Sequence, residues 1–308
     1  MHLLIGNPQD FLCLSLQNML DMRGCAARII SNPMASPWRL AWHLDNNRSA
    51  SKLVCDGDAP IADHEIESLV VRPFGWIDPE GWQPEDLAYI QSENQAALLA
   101  WLWSLPCPVI NRYRSGIWFC PQKPLLSWYP LLRRCGLPVP ETLMTNVEQE
   151  AREFGLRHRM AGLQGTAVYG PLTTQGRYLL SSDDDWAGVA AMQRYAPVCL
   201  AYPHESPQLV CVVGEEVIYD GQPTPKAATL APALHRFARA AGLTFLQLAL
   251  AANDQGVVVV SVEPYPQLEI FGDIARQEVL EAIVNILTAP DQRVVRANSS
   301  VAPGTSIA

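Results

Sequence analysis

The chain has 308 residues, 49% of them hydrophobic and 17% charged, with a formal net charge of −9 at pH 7. That apolar content is enough to bury a sizeable core in one large domain or in two to three subdomains. The acidic balance supplies no basic field to draw in a polyanion, so nucleic acid is not expected as a partner.

Eight cysteines stand at 13, 25, 55, 107, 120, 135, 199 and 211 with no CxxC pair, several of them inside apolar runs. They read as buried free thiols rather than as zinc ligands or a disulfide framework, which points to a reducing cytoplasm. The start, MHLLIGNPQDFLCLSL, has no charged n-region and interrupts its apolar run with Asn7, Pro8, Gln9 and Asp10, so it is not read as a signal peptide. AALLAWLWSLPCPVI is shorter than a bilayer span and carries two prolines, so no membrane association is expected.

In chain order, HLLIG reads as a short buried strand, FLCLSLQNMLDMRG as an amphipathic helix closed by Gly24, and AARII as a second strand. This is a βαβ opening of the doubly wound kind. WRLAWHL, SKLVCDG and SLVVRPF predict further strands, and Pro84 with Glu85 opens a helix that runs through DLAYIQSENQAALLAWLW. A first unit ends near PVINRYRSG. In the second, a helix stops at Gly136, an extended Pro-x-Pro segment follows, and LMTN leads into the charged helix VEQEAREFGLRHR. TAVYGPL predicts a strand and a turn. DDDWAGVAAMQRY predicts a helix whose three N-terminal aspartates complement its dipole.

The last unit holds strands at PVCLAYP, QLVCVVGEEVIYDG, TFLQLALA and GVVVVSVEP, with turns at Gly214 and at 253–256. APALHRFARAAG places Leu234, Phe237, Ala238 and Ala241 on one helical face, and Gly242 stops it. The tail from Asp291 has too little apolar content to pack and is expected to be disordered. The six histidines show no paired ligand spacing, and no GxSxG, Walker loop or GxGxxG occurs.

Four stretches together resemble one family: the opening βα unit; VVRPF followed by SENQAALLAWLWSLPCPVINRY; KPLLSWYPLLRRCGLPVPETLMTNVEQEAREF; and GLTFLQLALAANDQGVVVVSVEPYPQLEIF. The resemblance is to the ATP-grasp superfamily, and within it to the microviridin or graspetide type of peptide ligase that macrocyclises ribosomal precursor peptides. It implies an α/β, ATP-grasp-like fold with an N-terminal pre-ATP-grasp βαβ domain. The expected division is a pre-ATP-grasp-like domain at 1–120, a central subdomain at 121–195, a C-terminal ATP-grasp-like subdomain at 196–290 and a tail at 291–308.

The chemistry of that family needs cations for the nucleotide phosphates, a polar hinge for adenine and oxygen ligands for magnesium. Carried over position by position, the resemblance puts Gly170 where the family has its phosphate-binding lysine. Leu200 and Ala201 stand for its Gln-Glu hinge, Leu209 for an arginine and Ala249 for an aspartate. In VSVEP, Ser261 replaces a glutamate and Glu263 an asparagine. Lys123 is the nucleotide-contacting group that survives the comparison, and Gln208, Gln247 and Asn253 are polar neighbours available as substitutes.

From the residues alone, the aspartates at 183–185 are a capping cluster on a surface helix. The resemblance adds a second reading. A helix at this place in the family holds the leader of the precursor peptide, making Asp184, Asp185 and Trp186 candidates for gripping a basic and aromatic peptide. Glu215, Glu216 and Tyr219 of the neighbouring hairpin are candidates to complete the groove; otherwise they form an ordinary solvated turn.

The expected function is thus a non-catalytic, ATP-grasp-like peptide-binding protein that presents a ribosomal precursor peptide to tailoring enzymes, without a cofactor and as a homodimer. The alternative is an active, divergent ATP-dependent carboxylate–amine ligase that uses ATP and Mg2+ through Lys123 and Glu263. A third reading is a structural partner of a catalytic paralogue.

Overall fold

The structure, a computed structural model, describes residues 1–33, 38–46, 49–55, 59–73, 80–119, 123, 125–160, 166–169, 177–180, 182–201, 207–253 and 256–289. It divides into two compact units, Met1–Arg112 with the segment that starts at Gln277, and Tyr113–Arg276.

The first unit opens as the sequence predicts. β1 (His2–Ile5), α1 (Phe11–Met22) and β2 (Ala27–Ile30) form a βαβ unit with parallel strands. All four residues of β1 are buried, as a strand covered on both faces requires. Asp10 caps α1 by accepting the Cys13 N–H at 3.0 Å, Leu12, Cys13, Leu16 and Leu20 form the buried face, and the chain turns away at Gly24 with φ +72°.

Between β2 and the rest of this sheet the chain makes a separate three-stranded antiparallel sheet from β3 (Trp38–Leu44), β4 (Ser49–Cys55) and β5 (Ile61–Ala62). It then returns with β6 (Ser68–Val71), α2 (Pro84–Ser104) and β7 (Val109–Ile110), giving a parallel sheet of order β2-β1-β6-β7. Leu98, Leu99, Trp101 and Leu102 of α2 are buried, and the Trp101 indole donates to Ser51 Oγ at 2.9 Å. The Arg112 guanidinium donates to the carbonyls of Leu102, Trp103, Leu105 and Cys107, satisfying acceptors left over where α2 ends.

The second unit contains two antiparallel four-stranded sheets. After α3 (Ser115–Trp118) and α4 (Leu125–Arg134) come β8 (Thr142–Thr145), α5 (Glu148–Met160), β9 (Thr166–Tyr169), β10 (Arg177–Leu180), α6 (Asp183–Gln193) and β11 (Val198–Ala201). Their strands order as β10-β9-β11-β8. Ala151 and Phe154 of α5, Trp186 and Val189 of α6, and Leu180, Val198 and Leu200 of the sheet make one buried cluster, so α5 and α6 cover the same face.

β12 (Gln208–Val213), β13 (Glu216–Tyr219), α7 (Pro225–Ala228), α8 (Ala231–Ala241), β14 (Phe245–Asn253) and β15 (Gly256–Glu263) follow, with strand order β13-β12-β14-β15; α9 (Asp273–Thr288) comes last. Leu234, Phe237, Ala238 and Ala241 of α8 are buried, as their spacing predicts, and Gly242 ends the helix at φ +73°.

Several elements lie outside the sequence reading: LMT of the LMTN segment is the edge strand β8, RYLL is β10, a sixteen-residue helix, α9, runs from Asp273, and the short β5, β7, α3 and α7 carry no mark in the pattern. Gly170 and the tail from Asp291 fall outside the described residues. Among the described residues, cysteines 13, 25, 55, 107, 135, 199 and 211 are free thiols. Burial, helped by the adjacent Asp10 carboxylate, pushes the Cys13 thiol up to about 12, and burial takes Cys199 up to about 11.

Candidate functional site

The C-terminal sheet gathers four of the singled-out residues on one face. Leu209 of β12 stands opposite Ala249 of β14, which stands opposite Ser261 of β15. Two residues along, on the same face, Cys211 opposes Gln247, which opposes Glu263. The register shifts between Ala249 and Leu250, where β15 carries one more residue than β14, a bulge that brings Val260 in beside this row. Ala249, Ala251, Val258 and Val260 form a buried cluster with Leu209 packed against it. The surface on which the resemblance would place phosphate and metal contacts therefore carries an aliphatic cluster beside Ser261, Gln247 and Glu263.

Its polar groups are few and engaged. The Ser261 hydroxyl donates to Glu263 Oε1 at 3.0 Å. Gln247 is 4% exposed, and its Oε1 accepts the Gln267 N–H at 2.9 Å. Gln208 donates from Nε2 to the carbonyls of Asp220 and Gln222 at 3.2 and 3.1 Å, so it braces the end of the β12–β13 hairpin. The Asn253 side chain falls outside the described residues. Asp220, which sequence reasoning passed over, lies level with Leu209 through its N–H to the Leu209 carbonyl, and its Oδ1 accepts the Gly272 N–H at 3.0 Å. Three strand spacings, about 14 Å, separate that level of β13 from Glu263 on β15, too far for one ion to join the two carboxylates. Among the described residues no three His, Cys, Asp or Glu side chains converge as a metal-holding group.

The remaining nucleotide-site positions are dispersed. The Lys123 ammonium lies over the indole of Trp128, 4.4 Å from the ring centroid, and that indole, buried, meets Phe237 edge-on at 5.6 Å. Leu200 and Ala201 project to opposite faces of the central sheet. Leu200 is fully buried in the cluster under α5 and α6, while Ala201 sits opposite Thr142. Neither side chain carries a polar atom that would read a base.

The peptide candidates sort by exposure. Asp184 is exposed at the start of α6. Asp185 closes a capping box: its Oδ2 accepts the Ser182 N–H and hydroxyl, both at 2.8 Å, and its own N–H donates to Ser182 Oγ at 3.2 Å. Trp186 is 8% exposed and belongs to the cluster beneath α5 and α6, with the Arg152 guanidinium 5.9 Å from its ring centroid. Glu215 and Glu216 are exposed at the turn that Gly214 makes with φ +58°. Tyr219 is half-buried, its hydroxyl donates to the Ala227 carbonyl at 3.0 Å, and burial raises its pKa. The acidic start of α6 and the hairpin thus belong to different sheets of the same unit.

No family model and no curated protein matches the chain, whereas solved structures do. The macrocyclase MdnC from Microcystis aeruginosa MRC, bound with the precursor peptide MdnA, superposes with a TM-score of 0.71 at 14% identity, over 94% of this chain and 100% of the other. A Chryseobacterium gregarium RiPP-associated ATP-grasp ligase, in complex with ADP and a leader and core peptide, gives 0.67 at 13% identity over 94% and 97%. The macrocyclase MdnB from Microcystis aeruginosa MRC gives 0.68 at 18% identity over 94% and 99%. The chain is an α/β protein with the ATP-grasp-like fold of such ligases, including the N-terminal βαβ domain that precedes the grasp. Among the described residues no helix is long and apolar enough to cross a membrane.

Proposed function

We propose that this protein is a non-catalytic, ATP-grasp-like peptide-binding protein, which holds the leader of a ribosomal precursor peptide and assists its modification by tailoring enzymes in natural-product biosynthesis. It works in the cytoplasm as a homodimer and without ATP or magnesium. The observation that carries this reading is the aliphatic cluster of Leu209, Ala249, Ala251, Val258 and Val260 on the face that a nucleotide ligase needs charged. A nucleotide triphosphate placed there leaves its phosphates without charge-assisted hydrogen bonds, each worth roughly 1.5–3 kcal/mol. Glu263 already accepts a hydrogen bond from Ser261, and Lys123 stacks on Trp128.

Peptide binding is supported by the exposed Asp184 at the N-terminus of α6, a carboxylate available to a cationic side chain. Solved structures of the same fold include complexes with precursor and leader peptides, which is a fact about those proteins that makes peptide the first ligand to try.

The test pairs two assays. Asp184→Ala weakens capture of a cationic leader peptide by about two- to fivefold, as expected for one exposed charge pair of up to about 1 kcal/mol. The wild-type protein mixed with ATP, magnesium and the same peptide releases no ADP. Unchanged capture by the variant removes α6 from the account; ADP release replaces the non-catalytic reading with the divergent ligase that works through Lys123 and Glu263.

A further inference from the structure

In the second unit the end of α4 meets the last two turns of α8, and arginines collect there. The Arg236 guanidinium donates to the Cys135 carbonyl at 3.0 Å, which sets it at the end of α4, next to Arg133 and Arg134 of that helix's last turn. Arg239 follows Arg236 by three residues and so neighbours it on the surface of α8. Arg114 closes the row. Its Nε lies 2.9 Å from where a Cβ on Gly242 would stand, so the glycine that ends α8 also makes room for the guanidinium. From Arg236 to Gly242 the helix rises about 9 Å. All five arginines are exposed.

These cations lack the partners that other arginines of the chain have. Arg72, Arg152, Arg157 and Arg276 each have a carboxylate within 3.7 Å. The side chains of Arg114, Arg133, Arg134 and Arg239 make no ion pair, hydrogen bond or ring contact among the described residues, and Arg236 bonds to a neutral carbonyl. Helix C-termini favour cations, but two such ends offset only about one unit of charge, so most of the charge on these guanidiniums is left uncompensated. Glu215 and Glu216, on the turn that the Gly214 N–H ties to the Thr244 carbonyl, pair with none of them. The result is a positive patch on a chain whose net charge is −9.

We propose that this patch is a docking site for an acidic segment of a partner protein, whose carboxylates the arginine forks would hold. Guanidiniums bind carboxylates bidentately, and a row about 9 Å long spans about three residues of extended chain or a turn and a half of helix. A nucleic acid or an anionic membrane carries its charge well beyond such a patch and meets the negative remainder of the chain, which screening hides only past a Debye length of about 8 Å. A short acidic segment avoids that cost. The ligand is opposite in charge to the cationic leader expected at Asp184, and the inference stands independently of that reading.

Fluorescence anisotropy of a labelled hexaglutamate peptide with the full chain tests it. The wild type binds with a Kd on the order of tens of micromolar at low salt, more tightly than it binds a labelled single-stranded DNA of equal charge, and loses affinity as salt is raised. Arg239→Glu weakens binding at least about fivefold, because an attractive pair becomes a repulsive one, and Arg133→Gln with Arg239→Gln, which adds no new charge at the helix ends, weakens it at least about threefold. Lys52→Glu makes the same change in net charge as Arg239→Glu at an exposed position of β4 and stays within about twofold of the wild type. Arg236 is kept in every variant because it holds the end of α4, and circular dichroism melts confirm that each variant is folded at the assay temperature. A wild type that does not bind the peptide, or a loss in Lys52→Glu equal to that in Arg239→Glu, overturns the patch; tighter binding of the DNA overturns the protein partner. Capture of a cationic leader is measured separately through Asp184→Ala, so failure of the patch and failure of the proposed function are told apart.

Discussion

Ser261 occupies the strand position where the resemblance would place a carboxylate, and its hydroxyl donates to Glu263 two residues along the same face. Ala249, opposite it, is 5% exposed among valines and an alanine. Restoring a carboxylate here is therefore costly. Ala249→Asp buries a charge in an aliphatic cluster beside Glu263 and lowers unfolding stability by about 3–5 kcal/mol, read from urea melts. Trp186→Ala is expected to cost about 3–5 kcal/mol as a core truncation and to alter peptide capture only through lost stability, because the indole packs under α5 rather than facing solvent. The thiols add a pH dependence. Cys13 and Cys199 ordinarily titrate at 9.0 and are pushed up to about 12 and about 11 in the folded protein, so the fold prefers the protonated form. Their contribution to stability is complete below pH 9 and is lost as pH rises through 11 and 12; thermal melts fall over that range, and Cys13→Ala flattens the fall.

At the scale of elements, α6 shows how one acidic run divides its labour. Asp185 closes the capping box with Ser182, while Asp184 faces solvent one residue earlier. Ser182→Ala is expected to lower stability by about 0.5–2 kcal/mol in chemical denaturation, with leader capture by folded protein intact; Asp184→Ala does the reverse. The sequence made this helix legible because three acids complement a helix N-terminus, but the reading took the aspartates for the cap and passed over Ser182, which is the N-cap. It did not separate the roles of Asp184, Asp185 and Trp186, since burial of the indole depends on Ala151 and Phe154 of α5, some thirty residues away. β8 and β10 were missed for a related reason. Each is four residues long, too short for an alternating pattern to stand out, and each is defined by its pairing with β11 or β9. The periodic helices α1 and α8 carried their own signal and stand where the pattern puts them, and α2 starts at Pro84, where its N-terminal proline and acid put it.

At the scale of the whole molecule, the order of elements was readable because each strand-and-helix unit announces itself locally, and the likeness to peptide ligases at 13–18% identity follows that order rather than shared side chains. The aliphatic face of the C-terminal sheet was readable only in part. Leu209, Ala249 and Ser261 are 12 to 52 positions apart, and only the register of β12, β14 and β15 makes them one row. Leu200, by contrast, points into the core under α5 and α6, a direction set by the pairing of β11 with β8 that no local pattern reveals. The proposal is that this fold is kept without nucleotide chemistry, the face where the resemblance would put a nucleotide carrying an aliphatic cluster and its carboxylate being engaged by a neighbour. Isothermal titration calorimetry of the full chain with ATP and magnesium tests it most directly. The account predicts no heat of binding at micromolar concentrations, with or without a leader peptide; a saturating isotherm in the micromolar range that is lost in Lys123→Ala or Glu263→Ala would contradict it.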